Sequence, residues 1–418
     1  MDIICFRKMA GDKFLIAKNK VFYQTIFLFA AQILGMVVGF VSNMLLAKQM
    51  GAVDFGIYSL SLAIIIFISI FFEFGYFSSA SKMLAKNHDI NLEKKIFGAS
   101  IIIACVIFVL FLLFSLAISF LLDIIFDDNI GHIIRISSFV SWSFTIPFFM
   151  ELILKGSNHI GYLAGFNIFS KILFVAFLFI LFIFEGLTPI NALLSFSLSY
   201  ALVFVIYGCT LQPNFSGFSE ILRTINLENK RYGIHVYIGR VIDVSTYNID
   251  RLLIGYFIGA KDVGFYGLAN SMATPINSLS NAISSTMFKT LANSSKIPPA
   301  VLKANLAWVF LAFVLANILG YLIINFYLKE EYSNVLLLLL LMSIAVCFQA
   351  LYQPYNAWIN GHGYGKELKK ANIKMTIMTA LSSILLVPTM GAIGACMSSM
   401  ISNLYSLFLY TKIYYAKI

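Results

Sequence analysis

From residue 21 onward the chain is a succession of apolar runs broken by short polar stretches. Each run is close to the roughly 20 residues that a helix needs to cross a bilayer core. The runs fall near 21–46, 55–80, 96–122, 133–154, 161–184, 188–210, 233–258, 263–288, 304–327, 333–357, 371–388 and 391–412. They are continuous rather than alternating, so the pattern predicts helices and not the strands of a membrane barrel. The expectation is an all-α integral membrane protein with twelve transmembrane helices.

Composition narrows the class further. The chain is 60% hydrophobic and only 11% charged, against about 25% charged in a soluble domain. A net charge of +10 raises nucleic acid as a partner, but no segment is long enough to fold as a soluble domain with a basic face. Topology accounts for the charge instead. With the N-terminus in the cytosol, 22 Lys and Arg fall on the inner side, and Lys48, Arg135, Lys261 and Lys329 fall outside. That partition predicts both termini inside. The opening "MDIICFRKMAGDKFLIAKNK" lacks the short apolar run of a cleavable signal, so the first span is expected to persist. The five cysteines are scattered, with no C-x-x-C or His/Cys spacing; they read as small buried hydrophobes, and no metal or cofactor is expected.

One phrase occurs twice. Residues 51–60 read "GAVDFGIYSL" and residues 259–268 read "GAKDVGFYGL", 208 positions apart. Each copy closes an odd-numbered span and opens the next, and an offset of six spans preserves direction. The halves therefore read as parallel repeats about an axis along the membrane normal: an N-terminal lobe 1–210, a cytosolic linker 211–232 and a C-terminal lobe 233–418. Gly51, Gly56, Gly259 and Gly264 suit tight turns and close helix approach. Asp54 and Asp262 suit N-caps of the following helices, and Tyr58 and Tyr266 suit the interface. The linker has Phe218, Ile221, Leu222 and Ile225 at near-helical spacing with Arg223, Lys230 and Arg231 nearby. It reads either as a helix flat on the inner leaflet or as a plain cytosolic connection.

Charge inside a span costs about 2.5–3.5 kcal/mol on insertion scales, and so usually faces a cavity. Span seven, "GIHVYIGRVIDVSTYNIDRLLIGYFIG", carries Arg240, Asp243, Tyr247, Asp250 and Arg251 on one face. Arg240 and Asp243 are spaced to pair along the helix. The stripe reads as the lining of an inter-lobe cleft or as a structural ion-pair network. Asn270, Thr274, Asn277, Asn281 and Ser284 form a polar row on span eight, either lining or packing glue. Gln32 and Asn43 on span one are the register equivalents of Arg240 and Arg251, and Gly35 that of Asp243. Glu73, Glu151 and Lys171 are isolated charges in the first half; Glu151 and Lys171 can pair with each other or reach the inner interface. The glycine-rich "GHGYG" lacks the G-K-[ST] of a phosphate loop and follows no strand.

Three stretches carry a resemblance. "LLAKQMGAVDFGIYSLSLAIIIFISIFFEFGYFSSASKMLAK", with Gly51, Gly56, Tyr58, Gly75 and Lys82, "NIDRLLIGYFIGAKDVGFYGLAN", with Asp250, Gly259, Gly264 and Tyr266, and "GAIGACMSS" resemble Wzx-type O-antigen and polysaccharide flippases. These belong to the multidrug/oligosaccharidyl-lipid/polysaccharide exporter superfamily. The resemblance implies a V-shaped, MATE-like pair of six-helix bundles in the bacterial cytoplasmic membrane. It further implies movement of an undecaprenyl-pyrophosphate-linked oligosaccharide between leaflets by alternating access, among membrane lipids and other polysaccharide-assembly proteins. Arg240, Arg251 and Lys171 would then meet the pyrophosphate, with Gln32, Asn43, Tyr247, Asn270 and Asn277 on the sugars. Asp243, Asp250, Glu73 and Glu151 would couple a proton or hold the arginines. The competing readings are a multidrug exporter of the same fold, which calls for an acidic, aromatic cavity, and a polysaccharide polymerase or glycosyltransferase, which calls for a larger outer loop than this chain offers.

Overall fold

The computed structural model describes the backbone of residues 2–418 except His88, Asp127, Asp128, Glu185 and Lys329. Side chains are described from residue 30 on, with Asp243, Tyr247, Ile283, Ser285, Thr286 and Lys289 also excepted. The apolar runs become long helices. The first half holds α1 (Asp2–Ser69), α2 (Tyr76–Lys86), α3 (Ile90–Ile125), α4 (Ile130–Ser141), α5 (Ile146–Gly156), α6 (Ile160–Phe184) and α7 (Pro189–Thr210). After α8 (Phe218–Glu228) come α9 (Ile234–Phe257), α10 (Ala260–Ala273), α11 (Pro275–Thr286), α12 (Phe288–Asn293), α13 (Pro299–Leu322), α14 (Asn334–Gly361) and α15 (Gly365–Tyr415).

Among the described residues, eight helices are long and apolar enough to cross a membrane. Two of them, Ala30–Phe72 and Gly365–Tyr415, are 43 and 51 residues long, about twice one crossing. Each leaves helical geometry at a glycine with positive φ, Gly51 (77°) and Gly391 (59°), a conformation glycine adopts without a Cβ clash. At Gly391 the chain folds back. Ser398 Oγ lies 2.6 Å from Ser382 Oγ and donates to the Thr379 carbonyl at 3.3 Å. Two expected spans fall outside the eight. The first, α9, has the length of a crossing at 24 residues but carries Arg240, Asp243, Asp250 and Arg251. The stretch 263–288 is divided between α10, α11 and α12. Polarity sets α9 apart from the apolar helices, whereas 263–288 is set apart by its breaks, which leave helices of 14, 12 and 6 residues.

The second expected span, 55–80, is not one continuous helix. It ends in a 3₁₀ turn at Ile70–Phe72, and Phe74 and Gly75 take positive φ of 49° and 79° before α2 begins. A Cβ on Gly75 would stand 2.5 Å from the Gly233 carbonyl carbon, so close backbone contact with the start of α9 requires glycine there.

The linker lies on the first half. Asn214 N donates to the Lys94 carbonyl at 2.9 Å and Lys94 Nζ to Gln212 Oε1 at 2.7 Å. The Ile221 and Ile225 side chains of α8 are buried, and α8 packs on α2 and α3. Its apolar stripe thus faces protein. Lys82 Nζ stands 2.5 Å from Glu228 Oε1, and the hydrogen bond from Lys82 holds the Glu228 carboxyl below its usual range. This contact contributes above the unfolded carboxylate pKa and is lost as pH falls through the lowered one.

The two copies of the repeated phrase touch. Gly56 packs on the backbone of Ala260 and Lys261; a Cβ there would stand 2.7 Å from Lys261 Cα. A Cβ on Gly264, the register equivalent of Gly56, would stand 2.9 Å from Gly56 Cα. Gly255 lies against the Leu60 side chain at 2.5 Å on the same measure. This is small-residue packing between membrane helices, in which missing side chains let backbones approach. A clasp from the second half adds to it. Glu331 Oε1 accepts from Ala52 N at 2.9 Å, and Tyr332 OH donates to the Ala47 carbonyl at 2.5 Å. Lys48 Nζ sits 3.9 Å above the Tyr327 ring.

Two expectations about the phrase change here. Asp54 is exposed, and the Ala52 N–H at the start of that helix is met by Glu331 instead. At the second copy the N-cap is Gly259, with no side-chain cap bond; Asp262 lies inside the first turn, where it favours the helix dipole without capping. Tyr58 and Tyr266 are buried inside the protein.

Overpacking a close helix crossing costs about 1–3 kcal/mol. Gly56→Leu and Gly264→Leu are each expected to lower the thermal midpoint of purified protein by several degrees. The Ser59 hydroxyl lies 4.0 Å from where a Gly267 Cβ would stand. In a background without the native cysteines, Ser59→Cys/Gly267→Cys should therefore form a disulfide on mild oxidation, and adding Gly56→Leu should abolish it.

Candidate functional site

Two polar centres lie along α9, one at each end. Near its start, Arg240 Nη1 stands 3.7 Å from Glu73 Oε2, with the guanidinium 6.0 Å from the Phe148 ring centre. Glu73 is 2% exposed, and its other oxygen accepts from Ser78 Oγ at 2.7 Å. The break in the chain at Glu73–Gly75 frees backbone carbonyls, and the linker end and first turn of α9 satisfy them. Tyr237 OH donates to the Phe71 carbonyl at 2.9 Å, and Asn229 Nδ2 to the Phe74 carbonyl at 3.1 Å. Irregular backbone at membrane depth is tolerated only with such partners. Arg240 thus has a partner across the halves; the side chains of Asp243, its expected partner along the helix, and of Tyr247 lie outside the described residues.

The second centre is inside the C-terminal half. Asp250 is 4% exposed and accepts from Ser383 Oγ at 2.5 Å, Tyr266 OH at 3.2 Å and Ser399 Oγ at 3.4 Å. Three hydroxyls from α10 and α15 hold a carboxylate that apolar surroundings would otherwise penalise. Asp250, Arg251 and Asn270 line a cavity of about 230 Å³. Arg240 and Arg251 are 11 residues apart on one helix, roughly 16 Å along its axis. The structure does not bring them together.

The other candidates are dispersed. Lys171 Nζ donates to the Gly35 carbonyl at 2.9 Å, tying α6 to α1. Asn43 Nδ2 donates to Ser271 Oγ at 3.1 Å, a bond between the halves. Gln32 is exposed. Asn277 Oδ1 accepts from Gln353 Nε2 at 3.3 Å. Glu151 pairs with Lys155, one turn on, at 2.5 Å, not with Lys171, which the Gly35 carbonyl engages. An apolar crevice of about 440 Å³ opens between α1 and the α10, α11 and α13 side, lined by Met36, Val37, Phe40, Pro275, Leu279 and Trp308. Among the described residues no group of His, Cys, Asp and Glu is arranged to hold a metal ion.

Sequence reasoning missed Glu331 and Tyr332, because nothing local marks a loop residue as the cap of a distant helix. It also missed Ser383 and Ser399, as well as Gln349, Gln353 and Asn356. The last three carried a usable signal, since i, i+4, i+7 spacing places them on one face of α14.

Residues 21–295 match the family described as "Polysaccharide biosynthesis protein". A relative from Escherichia coli (strain K12), named "Putative O-antigen transporter", is 24% identical over 370 residues, spanning 84% of this chain and 86% of that one. Among solved structures, the lipid II flippase MurJ in an inward closed conformation superposes with a TM-score of 0.72 at 15% identity, covering 93% of this chain and 87% of that chain. An inward-facing multidrug resistance MATE family transporter of the MOP superfamily gives 0.72 at 14% identity over 94% and 98% of the two chains. An outward-facing transporter of that family gives 0.59 at 13% identity over 94% of each. The chain shares the MurJ and MATE fold, and by the match of residues 21–295 it belongs to the polysaccharide biosynthesis protein family.

Proposed function

We propose that the protein is a flippase, not an enzyme, that carries an undecaprenyl-pyrophosphate-linked oligosaccharide repeat unit from the inner to the outer leaflet of the bacterial cytoplasmic membrane. Counting α1 and α15 as two crossings each and adding α9 and α10–α12 to the eight apolar helices gives twelve spans. On this reading they form two six-helix lobes, 1–210 and 233–418, with both termini cytoplasmic. The contact of Gly56 with its own register equivalent is what a pseudo-two-fold axis between the lobes would give. It closes the outer mouth, and the greater likeness to inward than to outward conformations supports the same state.

The observation that carries the reading is Arg240, an arginine inside a membrane protein at the seam between the halves, away from the glycine crossing. A pyrophosphate is a doubly suited partner for a guanidinium fork. In the present state Glu73 neutralises that arginine; cargo entering the cleft would exchange one anion for another. The crevice lined by Met36, Phe40 and Trp308 can receive part of a lipid tail without hydrating it. A cavity for organic cations would present carboxylates without these arginines, which weighs against the drug-exporter reading. Asp250, held by three hydroxyls inside the C-terminal half, is the residue we assign to ion coupling.

Arg240→Ala and Arg251→Ala, checked for membrane levels, are expected to lower surface polysaccharide roughly ten-fold or more in a strain lacking its own flippase. Lys at either position should retain part of the activity; charge-assisted bonds of this kind are worth about 1.5–3 kcal/mol. Normal polysaccharide from all four variants would remove both arginines from the mechanism. Asp250→Asn should bind cargo as the parent does yet export it slowly and independently of an imposed ion gradient, measured in proteoliposomes. A parent-like gradient response from that variant would take coupling away from Asp250.

A further inference from the structure

A second polar cavity, about 360 Å³ in volume, lies beside the Asp250 cavity and shares Thr246, Gln349 and Met375 with it. Its polar lining is dominated by one functional group. Asn277 and Asn281 come from α11, Gln349, Gln353 and Asn356 from α14, and Asn372 from α15. The carboxamides of α11 and of α14 recur at helical spacing, so each helix turns one amide-bearing face into the space. Among the described residues, no charged side chain lines it. Two aromatic rings, Tyr352 and Tyr410, form part of the wall with centres 5.0 Å apart.

Packing glue is the alternative account of so many amides, and other asparagines of the same half show what glue looks like. Asn305 is 1% exposed and donates to the Ala350 carbonyl at 3.1 Å. Asn403 is 9% exposed and donates to the Ala345 carbonyl at 3.0 Å. Each is spent on backbone. The cavity amides differ: Asn277, Gln349, Gln353 and Asn356 are half-buried, while Asn281 and Asn372 are exposed. Gln353 Nε2 donates to Asn277 Oδ1 at a long 3.3 Å and Tyr410 OH to Asn372 Oδ1 at 2.7 Å, contacts between lining residues rather than to backbone, and each carboxamide offers two N–H donors and two lone pairs. A site presenting donors and acceptors in equal number, without net charge and beside tyrosine rings, suits a neutral polyhydroxyl ring. Phosphate would call for cations and a coupling ion for carboxylates; both stand next door at Arg251 and Asp250. The volume is that of a small-ligand pocket.

We propose that this carboxamide cavity is a sugar subsite, taking an uncharged, hydroxyl-bearing pyranose of the cargo while its pyrophosphate is met by arginine. The inference rests on the flippase reading. It assigns selectivity among repeat units to α11, α14 and the start of α15, and leaves the charged residues of α9 indifferent to which sugar is carried.

The test compares two probes on the full-length protein in nanodiscs: lipid-linked oligosaccharides extracted from the producing cells, and undecaprenyl pyrophosphate alone. The parent is expected to bind the glycosylated probe at least ten-fold more tightly. Asn277→Leu, Gln353→Met and Asn356→Leu should each cut that ratio about 2–10-fold, the worth of one hydrogen bond, and leave affinity for undecaprenyl pyrophosphate unchanged. Asn305→Leu serves as the packing control, lowering the thermal midpoint without moving the ratio. A parent that binds both probes equally, or folded cavity variants that keep the full ratio, would overturn the subsite while leaving the flippase standing. A parent that binds neither probe would overturn the flippase reading and the subsite with it.

Discussion

Everything in this molecule hangs on a backbone contact between two glycines, Gly56 and Gly264, that occupy the same place in two copies of one phrase. Such a contact has no side-chain chemistry to hold it. Its strength is the dispersion of closely packed backbone and the absence of anything in between. It is therefore tight when made and separable without breaking charge pairs. The flanking clasp adds two side-chain hydrogen bonds, one carboxylate on one N–H and one hydroxyl on one carbonyl. On the proposed flippase reading, a contact with these properties suits a mouth that must open.

The opposite seam is built on different physics. There the halves meet through a broken helix, a buried carboxylate and an arginine. A buried ion pair at 3.7 Å is poor insurance for stability, since its desolvation can exceed its attraction. That makes it suitable for exchange with a ligand anion. Polar groups inside the C-terminal half are divided again, with Asp250 hydrogen-bonded by three hydroxyls and the neighbouring carboxamides bonded, among the described residues, to one another and to Tyr410. On the proposed reading, Arg240 at the seam would meet the headgroup, while the carboxamides proposed for its sugars and the carboxylate proposed for coupling line two adjoining cavities of the C-terminal half.

The spans were legible because apolar length is a direct consequence of bilayer thickness, and the repeat because it is written in letters. That its two copies touch was not legible; register states equivalence, and contact depends on how the halves dock. Local readings see only neighbours in sequence. Asp54, read as a cap, is exposed, while the distant Glu331 meets the Ala52 N–H at the start of that helix, and the distant Glu73 approaches Arg240. In a membrane, where every buried polar group needs an answer, a distant group that arrives with good geometry displaces a near one without it. The carboxamide face of α14 could have been read from its spacing, yet only the cavity shows that it turns toward the amides of α11.

Translocation with the glycine crossing locked measures the central claim most directly. Protein carrying Ser59→Cys/Gly267→Cys is reconstituted in proteoliposomes with fluorescent lipid-linked oligosaccharide, and the leaflet of the label is followed by a membrane-impermeant quencher before and after reduction. The account predicts that the oxidised protein does not move label between leaflets and that reduction restores the parent rate. Label crossing at that rate while the crossing stays locked would contradict it.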